Sequence, residues 1–245
     1  MKRIKVHGPS SRHLAGSGRS RASSLTLFRI SLYIRYLAVL ESEGRQTISS
    51  REIADKFFIS AASVRKDLGL FGAFGKAGIG YYVKGLREAL LQKLGLKRKW
   101  NVAIVGAGRL GTALSRYKGL AESAFQVVAI VDKYPETTTA RRDSGLEVFH
   151  VDELPQLVND RCIELGIIAV PASGAQDAAT TLVEAGIKAI LNFAPTHIDV
   201  PQGIFVHNVD FTIYLENLAY YATQAYYSAG HPCEPVDEDW LGHQE

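Results

Sequence analysis

The sequence predicts an α/β fold in two parts, a small winged-helix region followed by a doubly wound parallel sheet of the Rossmann type. Three observations carry this prediction. Charge divides the 245 residues: positions 1–100 hold 20 Lys and Arg against 6 Asp and Glu, while positions 101–245 hold 8 against 19, so the overall +3 conceals +14 followed by −11. A glycine-spaced turn, VGAGRLGTAL at 105–114, follows a short buried-strand run and flows into a helical stretch. Beyond it, strand-like and helix-like runs alternate to about residue 210, as a parallel sheet with crossover helices requires.

Residues 1–24 carry six Lys and Arg and no acid among many Ser and Gly, and are predicted to be a basic disordered arm. The composition also suits an organellar transit peptide, but no amphipathic face forms. Leu27, Ile30, Ile34, Leu37 and Leu40 then recur at helical spacing, with the helix ending near Gly44. Ser49 and Glu52 have capping-box spacing and open a second, short helix that turns Ile53, Ala54 and Phe57 inward. Ser60 is placed to cap a third, AASVRKDLGLFG, with Ala61, Val64 and Leu68 inward and Ser63, Arg65, Lys66 and Asp67 elsewhere. Two short helices joined by a tight turn predict a helix-turn-helix.

In FGAFGKAGIGYYV, Gly75, Gly78 and Gly80 and a lone Lys76 punctuate two apolar runs, which predicts a basic hairpin, and three helices plus that hairpin make a winged helix over 25–99. Its candidate contacts to double-stranded DNA are Ser60, Ser63, Arg65, Lys66 and Lys76. A further amphipathic segment at 84–96 (Leu86, Ala89, Leu90, Leu94) and the linker Lys97-Arg98-Lys99 place the domain boundary near Trp100.

The second domain is predicted over 100–211. NVAIV is a strand, and Gly106-Ala107-Gly108-Arg109-Leu110-Gly111 matches GxGxxG at the head of the helical TALSRYKGLA. Gly106 permits the tight turn, Gly108 lets backbone N–H groups approach a pyrophosphate, and Gly111 lets the helix lie close to the sheet. The strand FQVVAIVD ends in Asp132 about twenty residues on, where an acid accepts hydrogen bonds from both ribose hydroxyls. An acid there repels a 2′-phosphate and favours NAD over NADP, although Lys133 adjoins it. LEVFH, DELPQLVND, IELGIIAVP, GAQDAATTLVEAG, IKAILNFAP and GIFVHNVD continue the alternation, their strands expected to be buried on both faces. At the strand ends, the small and proline residues of Val170-Pro171-Ala172 and Asn192-Phe193-Ala194-Pro195 are positioned either to border a nicotinamide or only to turn the chain. The helix TIYLENLAYYATQAYYSAG, over 212–228, carries more aromatic surface than one face can bury, and a partner subunit is its natural cover. Residues 229–245 read as an acidic, frayed tail.

Cys162 and Cys233 lie far apart without metal-ligand spacing, so neither a zinc site nor a disulfide framework is expected, and a reducing, cytoplasmic location is. No run of 18 apolar residues exists to span a membrane. An oxidoreductase would need an acid–base group, yet His150, His197 and His207 fall in no recognisable constellation. A module for another phosphate-bearing ligand, such as a coenzyme A derivative, is the other alternative, since the glycine turn reads pyrophosphate; Asp132 argues against it.

The segments SAASVRKDLGLFGAFGKAGIGY, VGAGRLGTAL, EAGIKAILNFAP and HNVDF, in that order, resemble the Rex family of bacterial redox-sensing transcriptional repressors, over roughly residues 25–228. The resemblance implies a homodimer that exchanges its C-terminal helix, with NADH binding closing the subunits and separating the winged helices from a palindromic operator. NAD⁺ would compete for the same site and leave the repressor on DNA. It implies that Tyr117 is a switch tyrosine beside the cofactor, that Asp210 pairs with it in one state and with Arg35 in the other, and that Phe211 packs at the nicotinamide site across the dimer. Two positions depart from the family pattern: Ala77 stands where the wing commonly has a second basic residue, and Tyr134 where an acid often follows the ribose-binding one.

Overall fold

The computed structural model describes residues 22–76, 78–138 and 147–229. The basic arm up to Arg21, Ala77 and the acidic tail beyond Ala229 lie outside the described residues. The chain forms two compact units, Met1–Trp100 with Ala121–Gln126, and Asn101–Leu120 with Val127–Glu245.

In the first unit, helix α1 (Ser24–Ser42) begins where the Ser23 side chain accepts from the Thr26 N–H. Its inward stripe is Ile30, Tyr33, Ile34, Leu37 and Leu40; Leu27, expected inside, is exposed, and Thr26 takes the inward place at that end. Strand β1 (Thr47–Ile48) leads to α2 (Ser50–Lys56), whose Ser49–Glu52 capping box forms as expected, and then to α3 (Ala61–Gly69). Strand β2 (Tyr81–Tyr82) and helix α4 (Val83–Lys93) complete the unit, and α1 packs chiefly on α4 while α2 packs on α3. One core joins Ile30, Tyr33, Leu37, Ile53, Val64, Leu68, Leu86 and Leu90.

The wing differs from the expected hairpin. Phe71–Phe74 forms no strand; β2 pairs antiparallel with β1, Thr47 opposite Tyr82 and Ile48 opposite Tyr81. The hairpin itself is a single bridge, Lys76 to Gly80, around a turn in which Gly78 has φ +79°. Gly80 is required by close approach, because a Cβ there would lie 2.5 Å from the Ile48 carbonyl oxygen.

The second unit is built on a six-stranded sheet. Its strands are β3 (Trp100–Val105), β4 (Phe125–Asp132), β5 (Val148–His150), β6 (Ile163–Ile168), β7 (Ala189–Asn192) and β8 (Phe205–Asn208), in the spatial order β5-β4-β3-β6-β7-β8. The pairs β4–β5, β3–β6, β6–β7 and β7–β8 are parallel. Helices α5 (Arg109–Ser115), α6 (Lys118–Ala121), α7 (Leu154–Asp160) and α8 (Ala175–Glu184) make the connections, and α9 (Thr212–Ala229) follows the last strand. Strand order reverses between β3 and β6, the switch point at which such sheets open a crevice.

The run TALSRYKGLA is not one helix but breaks at Arg116-Tyr117, between α5 and α6. Strand β8 is an edge rather than a strand buried on both faces, and Phe205, His207 and Asn208 are exposed.

Candidate dinucleotide site and helix-turn-helix

The rim at the carboxyl ends of the strands is fixed by a repeated tether. Each residue just past a strand donates its N–H to a carbonyl at or near the end of the neighbouring strand: Gly106 to Val131 (2.8 Å), Ala169 to Val105 (2.8 Å), Phe193 to Ile168 (2.9 Å) and Val209 to Asn192 (2.8 Å). These bonds hold the glycine turn, Val170-Pro171, Phe193-Ala194 and Asp210 on one rigid edge.

Gly106 has φ +107°, and a Cβ there would lie 2.6 Å from the Ala169 carbonyl oxygen and 2.9 Å from Val170 Cγ1. The turn thus sits directly against Val170 across the switch point. A Cβ on Gly111 would collide with the Gly106 carbonyl, so the third glycine lets α5 lie close to the sheet, as expected. Gly108, the N-cap of α5, differs from both: a Cβ there would meet no protein atom within 4 Å. The protein's own packing therefore does not require Gly108, and a side chain there would fill the space in front of the first turn of α5, whose N–H groups have no intrahelical partner. Arg109 and Leu110 open that turn and are exposed.

Asp132 faces the same turn. Its carboxylate accepts from the Ala107 N–H (2.7 Å) and from the Tyr134 N–H (2.9 Å), one on each oxygen. Each oxygen keeps a second lone pair, so the acid is oriented without being saturated. Lys133 turns its Nζ over the Tyr134 ring, 5.7 Å from its centre. These residues fit a dinucleotide: a glycine cradle, an acid oriented beside it and a small, apolar border at Val170 and Ala194.

Asn192 went unrecognised as a support of this rim. Fully buried, it donates to the carbonyls of Ala194 (3.3 Å) and Thr196 (3.0 Å) and to Asn208 Oδ1 (3.0 Å), and accepts from the Ala194 N–H (3.0 Å). It fixes the turn that carries Phe193 and Ala194; an Asn ending a buried apolar strand was the available signal. Tyr117 stands in the break between α5 and α6 and is 62% exposed. Phe211 is exposed at the start of α9, and Asp210 is also exposed; it accepts from the Thr212 N–H (2.9 Å) and hydroxyl (2.6 Å), which hold its carboxyl below the usual range. Arg35 is exposed on α1.

In the first unit, Ser60 caps α3 by accepting from the Ser63 N–H (3.0 Å), and the two hydroxyls lie 2.8 Å apart. Ala62, Arg65, Lys66 and Gly69 recur at three-and-four spacing on the exposed side of α3, and Arg65 also donates to Ser50 Oγ (3.2 Å), tying α3 to α2. Lys76 is exposed on the wing with its Nζ 5.4 Å from the Tyr82 ring centre.

Asp67 corrects the reading of α3. Expected away from the core, it is 3% exposed, while Ala61 is only half-buried. Arg29 grips it through Nε and Nη2 (2.6 Å each) and the Tyr33 hydroxyl donates to it at 3.0 Å. The hydrogen bond from Arg29 to Asp67 raises the guanidinium pKa, and burial, reinforced by Asp67, pushes the Tyr33 hydroxyl up, so both remain donors. The signal was present in spacing: Asp67 falls three residues after Val64, on the inward stripe.

His197 and His207 are exposed, His150 is half-buried and accepts from the Asp152 N–H, the three lie apart, and among the described residues no group of three or more His, Cys, Asp or Glu could hold a metal ion. No described helix is long and apolar enough to cross a membrane.

Fold and site together define a class, a helix-turn-helix unit and a dinucleotide-type Rossmann unit in one chain. A family profile described as a CoA binding domain matches residues 97–196, and one described as a putative DNA-binding protein N-terminus matches 21–69. The redox-sensing transcriptional repressor Rex of Carboxydothermus hydrogenoformans is 46% identical over 80% of this chain and 93% of its own. The crystal structure of RSP in complex with beta-NAD+ and operator DNA aligns with a TM-score of 0.77 at 34% identity, covering 86% of this chain and 97% of that one. The structure of RSP with beta-NADH aligns at 0.76 and 32%, covering 86% and 99%. The chain belongs to the Rex family of redox-sensing transcriptional repressors. Its named relatives are repressors and not enzymes, which sets the oxidoreductase reading aside.

Proposed function

We propose that this protein is a cytoplasmic, homodimeric repressor that binds a palindromic operator through α3 and the wing and is released from it by NADH. The observation that carries the nucleotide half is Asp132, whose carboxylate is aligned by the Ala107 N–H of the glycine turn itself. Gly106 to Gly111 hold the pyrophosphate, Asp132 takes the ribose hydroxyls beside Lys133, and Val170, Pro171, Phe193 and Ala194 border the nicotinamide. The bound nucleotide supplies the signal, the redox state of its nicotinamide. Lys66, Arg65 and Lys76 meet DNA phosphates or bases, and Ser60 and Ser63 set the start of the helix that enters the groove.

Release requires the nucleotide to bind one dimer arrangement better than the other, and tenfold release needs about 1.4 kcal/mol of coupling. Exchange of one hydrogen bond supplies that if Asp210 pairs with Arg35 in the DNA-binding arrangement and with Tyr117 in the other. Arg35 is exposed in the first unit, and Asp210 and Tyr117 in the second; α9 carries Ile213, Tyr214, Leu215, Leu218, Tyr220 and Tyr221 exposed, which supports a partner subunit as the cover of that helix.

Equilibrium titration of the full chain with NADH, NAD⁺ and coenzyme A tests the site. Nicotinamide nucleotides should bind and Asp132→Ala should weaken them about tenfold or more, for loss of hydrogen bonds to a charged acceptor. Preference for coenzyme A, which the 97–196 profile favours by its description, would contradict the assignment.

A further inference from the structure

Helices α1, α4 and α8 close in one way. The residue three past the last helical residue donates its N–H five positions back, Arg45 to Leu40 (2.9 Å), Leu96 to Leu91 (2.8 Å) and Ile187 to Leu182 (3.0 Å). The residue in between must adopt the left-handed region, and it is Gly44 (φ +76°), Gly95 (φ +70°) and Gly186 (φ +98°). Helix α2 makes the same closure, Ile59 N–H to Ala54 (3.0 Å), but the residue in between is Phe58, with φ +54°.

A bulky residue is strained in that conformation, and strain persists where surrounding structure or a function offsets it. Burial does not offset it here, because Phe58 is 80% exposed. Nor is its ring a displaced core residue: the neighbouring Phe57 already packs on Tyr33 and Tyr36, with ring centres 5.4 and 5.7 Å apart. The other described non-glycine residue with positive φ, Cys162, has a small side chain and lies in the second unit.

Phe58 stands two residues before Ser60, the cap of α3, in a stretch where residues 22–100 hold 14 Lys and Arg against 6 Asp and Glu. In a helix-turn-helix the first helix crosses the DNA backbone and the second enters the major groove, so the residue joining them lies at the groove edge. The deoxyribose wall offers an apolar surface at that edge.

We propose that Phe58 is a DNA-contacting residue whose ring rests on deoxyribose at the edge of the groove that α3 enters. The inference rests on the DNA-binding reading above. The contact is apolar and releases no counterion, so it adds affinity without adding salt dependence.

The test uses the full chain and a labelled duplex enriched by the wild-type protein from a randomised pool, with affinity measured across a salt series and thermal unfolding in parallel. Phe58→Gly and Phe58→Asn both accept the left-handed conformation and remove the ring. Each should lower affinity about fivefold to tenfold, as expected for lost apolar burial, leave the slope of log K against log salt unchanged, and leave the thermal midpoint equal or higher. Wild-type affinity in either variant would overturn the proposal, as would a lowered midpoint accompanying the loss. Folded wild-type protein that enriches no duplex would overturn the DNA-binding reading itself, a result distinct from a silent substitution.

Discussion

Asp67 places a carboxylate inside the core of the first unit, and its partners explain how the fold tolerates it. Arg29 supplies two parallel donors and Tyr33 a third, so the acid is hydrogen-bonded on both oxygens by residues of α1. The same contacts fix α3, the helix that presents Lys66, against α1. Removing one partner of such a pair leaves the other buried and uncompensated, and Asp67→Ala should destabilise the protein by about 3–5 kcal/mol. Urea unfolding checks this; a midpoint within error of wild type would show that Arg29 finds solvent or another acceptor when the acid is gone.

The caps were legible element by element, because Ser49, Glu52 and Ser60 act on backbone groups within three residues of themselves. The glycine turn was legible for the same reason. What escaped depends on distant partners. The wing strand finds β1 more than thirty residues upstream, and nothing local in FGAF distinguishes a strand from a loop. The helix break at Tyr117 is invisible to periodicity, since α5 and α6 continue the same apolar spacing; it shows only in packing, where a Cβ on Gly119 would lie 2.5 Å from the Tyr117 ring. Edge exposure of β8 follows from sheet order, which composition does not encode. On α3, Lys66 is exposed and does not share the tie that Arg65 makes to Ser50, so of the two proposed contacts it is the one placed to reach a phosphate. Lys66→Ala should weaken operator binding and reduce the salt slope by about 1. An unaltered slope in the same salt series would exclude a direct phosphate contact.

At the scale of the whole molecule, the division into +14 and −11 places the polyanion-seeking charge in one unit and the nucleotide turn in the other, and the proposed function requires the two to communicate. A ligand shifts DNA binding only through its differential affinity for two arrangements, and a dimer built through α9 offers such arrangements. Leu218 lies among the exposed apolar residues of that helix, and if the proposed dimer forms through it, Leu218→Glu should give a monomer in light scattering while the Rossmann unit still binds NADH. A variant that remained dimeric would place the interface elsewhere. The central claim is tested most directly by fluorescence anisotropy of a labelled operator duplex with the wild-type protein at fixed salt, titrated with NADH and, separately, with NAD⁺. Anisotropy should fall with NADH and hold with NAD⁺; equal release by both nucleotides, or release by neither, would contradict redox-dependent repression.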